Sequence, residues 1–132
     1  MEQLDRFSNI SFIVSIDGFE QLNEQIRKNS VWKTLVDNLD ILAKRYGGYG
    51  IFMINTVVQR NNVNNLLELG TWIESKNITK WRLNLLDNPS ELHYSNCENI
   101  YIPDELLELS LVNTNIENSL VLKNIKNYAK TT

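Results

Sequence analysis

Residues 9–17, NISFIVSID, are apolar on both faces of an extended strand, and this restricts the fold more than any other feature of the chain. Ile10, Phe12, Val14 and Ile16 fall on one face; Ile13 joins Ser11, Ser15 and Asp17 on the other. A strand of that kind belongs inside a parallel sheet covered by helices. Residues 49–59, YGIFMINTVVQ, repeat the pattern. A third strand is expected at 78–87, ITKWRLNLLD, where Trp81, Leu83 and Leu85 alternate with Lys80, Arg82 and Asn84.

The intervening segments have helical periodicity. After Gly18, EQLNEQIRK (residues 20–28) predicts a short helix. Trp32, Leu35, Val36, Leu39, Leu42, Ala43 and Tyr46 form one stripe of a longer helix, with Ser30 expected as its cap and Gly47–Gly48 as its stop. Residues 61–77 predict another, with Val63, Leu66, Leu67, Gly70 and Ile73 inward and Asn61 or Asn62 as cap. Asn88 and Pro89 end the third strand. Pro103 suits the start of a helix over DELLELSLV, and residues 115–130 predict a last helix with Ile116, Leu120, Ile125 and Tyr128 inward.

Strand, helix, strand, helix, strand, then helices is the order of right-handed parallel crossovers. In such sheets ligands sit at the carboxyl ends of the strands. Ser15 and Asp17 lie at that end of the first strand. Asn55 lies late in the second, and Arg82 and Asn84 in the third. A Ser hydroxyl and an Asp carboxylate can bond ribose or other hydroxyls, and the Arg27 fork suits a carboxylate or phosphate.

Composition narrows the partners. The chain has 132 residues, enough for one domain, and a net charge of −3, which argues against nucleic acid. No apolar run approaches the roughly 20 residues that span a bilayer, and the charged N-terminus is no secretory signal, so a cytoplasmic setting is the expectation. Nineteen asparagines carry no functional message. Cys97, the single cysteine, can form neither an internal disulfide nor a Cys-only metal site. His93, the single histidine, reads as a surface or loop side chain.

Residues 14–42, VSIDGFEQLNEQIRKNSVWKTLVDNLDIL, resemble the middle of radical S-adenosylmethionine enzymes of the twitch or SPASM subgroup. Their pattern there is a strand ending in SIDG, then E-x-I-R, a Trp and a helix. Residues 55–69, NTVVQRNNVNNLLEL, and 81–108, WRLNLLDNPSELHYSNCENIYIPDELLE, are similar to the next strands and helices of that family. The resemblance covers most of residues 7–111. It implies an α/β fold: part of a partial (β/α) barrel, with about three parallel strands and flanking helices. Residues 1–111 would be the C-terminal half of the barrel, and 112–132 a helix opening a twitch-like extension.

The resemblance implies that Ser15 bonds the cofactor's ribose and that Arg27 holds its methionine carboxylate. The backbone at Asn55 would lie against the adenine, with Asp17 a second polar contact. Arg82 and Asn84 would face the lumen, where the substrate, a peptide in many members of the subgroup, is modified. The family's CxxxCxxC motif, which holds a 4Fe–4S cluster, is absent. The expectation is therefore the C-terminal part of a longer enzyme, inactive alone. It would pair with an N-terminal half or with itself, because unpaired parallel edges invite strand addition. A non-enzymatic α/β interaction module is the alternative. A different nucleotide-binding enzyme is disfavoured, since no Gly-rich phosphate loop is present.

Overall fold

The computed structural model describes residues 11–46, 51–76, 78 and 80–131. Ile10, expected in the first strand, and Gly47 and Gly48, expected as a helix stop, lie outside the described residues. Three strands form the sheet: β1 (Ser11–Ser15), β2 (Ile51–Val58) and β3 (Lys80–Leu85). They lie in the order β1-β2-β3, and both pairings are parallel. Helices α1 (Gln21–Ile26) and α2 (Trp32–Tyr46) connect β1 to β2, and α3 (Leu66–Ser75) connects β2 to β3. Then come α4 (Asp104–Glu108), α5 (Ser110–Asn113) and α6 (Ile116–Thr131). The protein is thus α/β, a three-stranded parallel sheet flanked by helices.

The register decides which side chains share a face. Val14, Ile54 and Trp81 form one cross-strand row, and Thr56 pairs with Leu83 in the next. This face carries the core: Ile16, Ile54, Val58, Trp81 and Leu83 pack with Leu39, Leu66, Leu69, Ile73, Leu106, Val112, Leu122 and Ile125. Each fully buried aliphatic side chain contributes about 1.5–3 kcal/mol. The other face is open: Ile13 is 62% exposed, and Lys80 and Arg82 are exposed too. Two helix-covered faces are the expectation from the apolar strands; the helices cover one.

The polar groups around Trp81 are matched. Trp81 Nε1–H donates to Thr56 Oγ1 at 2.8 Å, and Thr56 Oγ1–H donates to the Ile16 carbonyl at 2.6 Å. That relay ties β3 to β2 and β2 to the residue after β1, and it allows an indole to be buried. Trp81 also limits its neighbour on α3. A Cβ on Gly70 would stand 2.7 Å from both the Trp81 ring and Leu109 Cδ1, so only glycine permits this approach.

Several sequence expectations are corrected. Ile116 and Leu120 do not face inward; they are 77% and 54% exposed. The buried positions of α6 include Asn118, Leu122 and Ile125. The reason is Asn118. Its Oδ1 accepts from Leu83 N–H at 3.0 Å, and its Nδ2 donates to the Trp81 and Leu111 carbonyls at 2.5 and 3.0 Å. One carboxamide thus takes the place of a neighbouring strand along the outer edge of β3, and that sets the helix's rotation.

The expected caps are also different. Ser30 Oγ–H donates back to the Arg27 carbonyl at 2.6 Å, and α2 is capped instead by Glu24 of α1, whose Oε2 accepts from Trp32 N–H at 2.8 Å. A carboxylate there also meets the positive end of the helix dipole. Asn65 occupies the cap position of α3, and the helix expected over 104–112 breaks at Leu109 into α4 and α5.

Candidate functional site

The open face gathers most of the residues singled out from sequence. Ser15 pairs in register with Asn55, and Asn55 with Arg82, so the three form one row across β1, β2 and β3. Strand spacing places the ends of that row about 10 Å apart. Asn84, two residues beyond Arg82, donates from Nδ2 to Asn55 Oδ1 at 2.6 Å. Ser15, Asn55 and Asn84 are half-buried, and Arg82 is exposed. The Asn55 carbonyl accepts from Ile16 N–H at 3.0 Å within the sheet. What this residue offers a ligand on the open face is therefore its side chain.

Asp17 and Arg27 are placed differently. Asp17 lies just past β1 and is buried. Its Oδ1 accepts from Val57 N–H at 2.9 Å, and its backbone N–H donates to Asn23 Oδ1 at 2.8 Å. Its carbonyl accepts from Asn62 Nδ2, also at 2.8 Å. Asn62 is therefore no cap. Its Oδ1 holds Gln59 N–H at 2.8 Å, and its amide joins the end of β1 to the Val57 carbonyl at 2.9 Å.

Arg27 brings its Nε to 2.8 Å from Asp17 Oδ2. The N–H does not point along that line: Nε, like the buried Asn23 Nδ2, has no aligned acceptor among the described residues. The pairing is thus Coulombic rather than a directed hydrogen bond. The Arg27 side chain remains 39% exposed, and none of the described contacts uses its terminal nitrogens. The carboxyl end of β1 is consequently rich in N–H donors, with its one carboxylate already engaged by Val57 and Arg27.

A groove of about 770 Å³ lies where the open face meets the outer edge of β3. Met53, Lys80 and Arg82 line its sheet side; Thr114, Ile116 and Glu117 line its helix side. Lys80 is the residue that sequence reasoning undervalued. It shares strand parity with Arg82 and Asn84, and that period of two was the signal for it.

Among the described residues, no group of three His, Cys, Asp or Glu side chains could hold a metal ion. With one cysteine, the chain cannot supply three thiolates to a 4Fe–4S cluster. Cys97 Sγ sits 3.5 Å from Asn64 Nδ2, and burial pushes its thiol pKa up; Arg60 opposes the shift and Glu98 adds to it. Burial, with Tyr128 beside it, likewise raises the Tyr94 hydroxyl. His93 Nδ1 is within 2.8 Å of Ser95 Oγ and accepts from Ser95 N–H at 3.2 Å, a local turn contact. Among the described residues no helix is long and apolar enough to cross a membrane.

No family model matches the chain, and no curated protein or solved structure matches it.

Proposed function

We propose that this chain forms half of a (β/α) barrel whose lumenal face binds part of S-adenosylmethionine, as the resemblance to radical S-adenosylmethionine enzymes implies. One observation carries the reading: Ser15, Asn55 and Arg82 occupy a single row on the uncovered face of a parallel sheet, running from the carboxyl end of β1 across the middle of β2 to β3. A covered sheet face has no use for such a row, whereas a lumen does.

The donor set suits the cofactor. Ser15 would meet a ribose hydroxyl, and Asn55 would hydrogen-bond an edge of the adenine. The terminal nitrogens of Arg27 would take the methionine carboxylate. Asp17 would act through Arg27, holding the guanidinium in place, with Val57 N–H fixing the carboxylate and Asn23 Oδ1 fixing the Asp17 backbone N–H in turn. If another half supplied a reduced cluster, S-adenosylmethionine held here would provide one-electron chemistry through its sulfonium. This chain's residues do not fit the cluster, and its own share is to bind and orient. An upstream half, or a second copy, would join at the outer edge of β1.

Calorimetric titration with S-adenosylmethionine tests the reading on wild type, Ser15→Ala and Arg27→Lys. Wild-type binding that weakens at least tenfold in each variant supports it. Absence of heat at millimolar cofactor, or variants that bind as wild type does, contradicts it. An interaction module remains the second reading, favoured by the exposed Ile13 beside the outer edge of β1.

A further inference from the structure

We infer that the groove beside β3 binds a ligand carrying two carboxylates, read by Lys80 and Arg82. As a substrate seat, this rests on the proposed cofactor reading; as a binding site, it stands on the groove itself.

Lys80 and Arg82 are two residues apart on one face of β3, both exposed and both lining the groove. Strand rise spaces their backbone positions about 6.6 Å apart. The chain carries a net charge of −3, and several of its other cations have carboxylate partners: Arg27 with Asp17, Lys33 with Asp37, Lys76 with Asp40, Lys126 with Asp104. Among the described residues, neither Lys80 nor Arg82 is in an ion pair, although Glu117 lines the same groove. Two cations left unneutralised in a concave site focus anionic ligands there.

The edge of β3 further restricts the occupant. A peptide could dock by adding as a strand, but Asn118 already takes the Leu83 N–H and the Trp81 carbonyl. Recognition in the groove therefore falls to side chains: the two cations, with Met53 and Ile116 as apolar walls and Thr114 and Asn115 as polar ones. Acidic side chains two apart on an extended segment repeat the spacing of the two cations. A free diacid of similar span has the same chemistry.

The test titrates the full chain with three probes: a blocked pentapeptide containing Glu-x-Glu, its Gln-x-Gln counterpart, and glutarate. Binding is read by amide chemical shifts at 50 and 200 mM salt. The inference predicts shifts at Lys80, Arg82 and residues 114–117. The glutamate peptide should bind at least tenfold more tightly than the glutamine one. Lys80→Gln and Arg82→Gln should each weaken it several-fold and flatten its salt dependence, while Lys80→Arg retains binding. Tighter binding of glutarate than of the peptide would identify the diacid as a small molecule. Equal binding of the two peptides, or shifts outside the groove, would overturn the inference. A cofactor titration on the same sample separates the two claims, since Ser15 and Arg27 report the cofactor and residues 114–117 the groove.

Discussion

Oδ2 of Asp17 lies 2.8 Å from Nε of Arg27, pairing a carboxylate that is 4% exposed with a guanidinium side chain that is 39% exposed. The asymmetry matters. Removing the cation strands a buried charge, whereas removing the carboxylate leaves an arginine that can turn to water. Arg27→Ala should cost about 3 kcal/mol of stability. Asp17→Asn, which keeps the volume, should cost about 1–2 kcal/mol. Urea denaturation of both single variants and the double variant checks this. The double variant should be more stable than additivity predicts; strict additivity would mean the pair is not coupled.

The relay from Trp81 through Thr56 to Ile16 gives a second expectation. Thr56→Val preserves shape but leaves the Trp81 indole N–H and the Ile16 carbonyl unmatched inside the core. A loss of about 2 kcal/mol is expected, read from the midpoint of chemical unfolding. A change below about 0.5 kcal/mol would show that neither group depends on the hydroxyl.

Asn118→Ala should both destabilise and expose. The substitution removes one acceptor and two donated bonds, so a cost of about 3 kcal/mol is expected. It also uncovers the edge of β3, and such edges template association. Sedimentation should therefore show a larger, concentration-dependent mass than wild type. A variant that sediments and unfolds like wild type would contradict the role assigned to this side chain.

Cys97 offers a pH-dependent prediction. Burial disfavours its thiolate, so the thiol keeps its proton to higher pH than an ordinary cysteine near pKa 8.5. At pH 8 alkylation by iodoacetamide should be slower than that of a blocked cysteine peptide. Its rate should still be rising above pH 9, where the peptide's rate levels off. A Cys97 as reactive as the peptide at pH 8 would contradict the burial argument.

The sequence specified the sheet well because strand parity is a strong code. Val14, Ile54 and Trp81 against Ser15, Asn55 and Arg82 could be separated by counting in twos, and the parallel register aligns the two sets as rows. Helix ends and phases were harder to read. Ile116 and Leu120 are apolar yet outward because a polar residue, Asn118, holds the inward place through bonds to β3 and α5. Glu24 capping α2 was invisible, since the cap comes from another helix rather than from the preceding residue. Asp17 looked from its spacing like a ligand contact. The structure surrounds it with Val57, Asn23, Asn62 and Arg27, partners that only the folded chain brings together.

Backbone amide mapping during titration with S-adenosylmethionine tests the central claim most directly. The account predicts saturable shifts centred on Ser15, Asn55 and Arg27, with the core-facing Ile54 and Trp81 little affected. Shifts confined to the helix-covered face, or no shifts at millimolar cofactor, would contradict it.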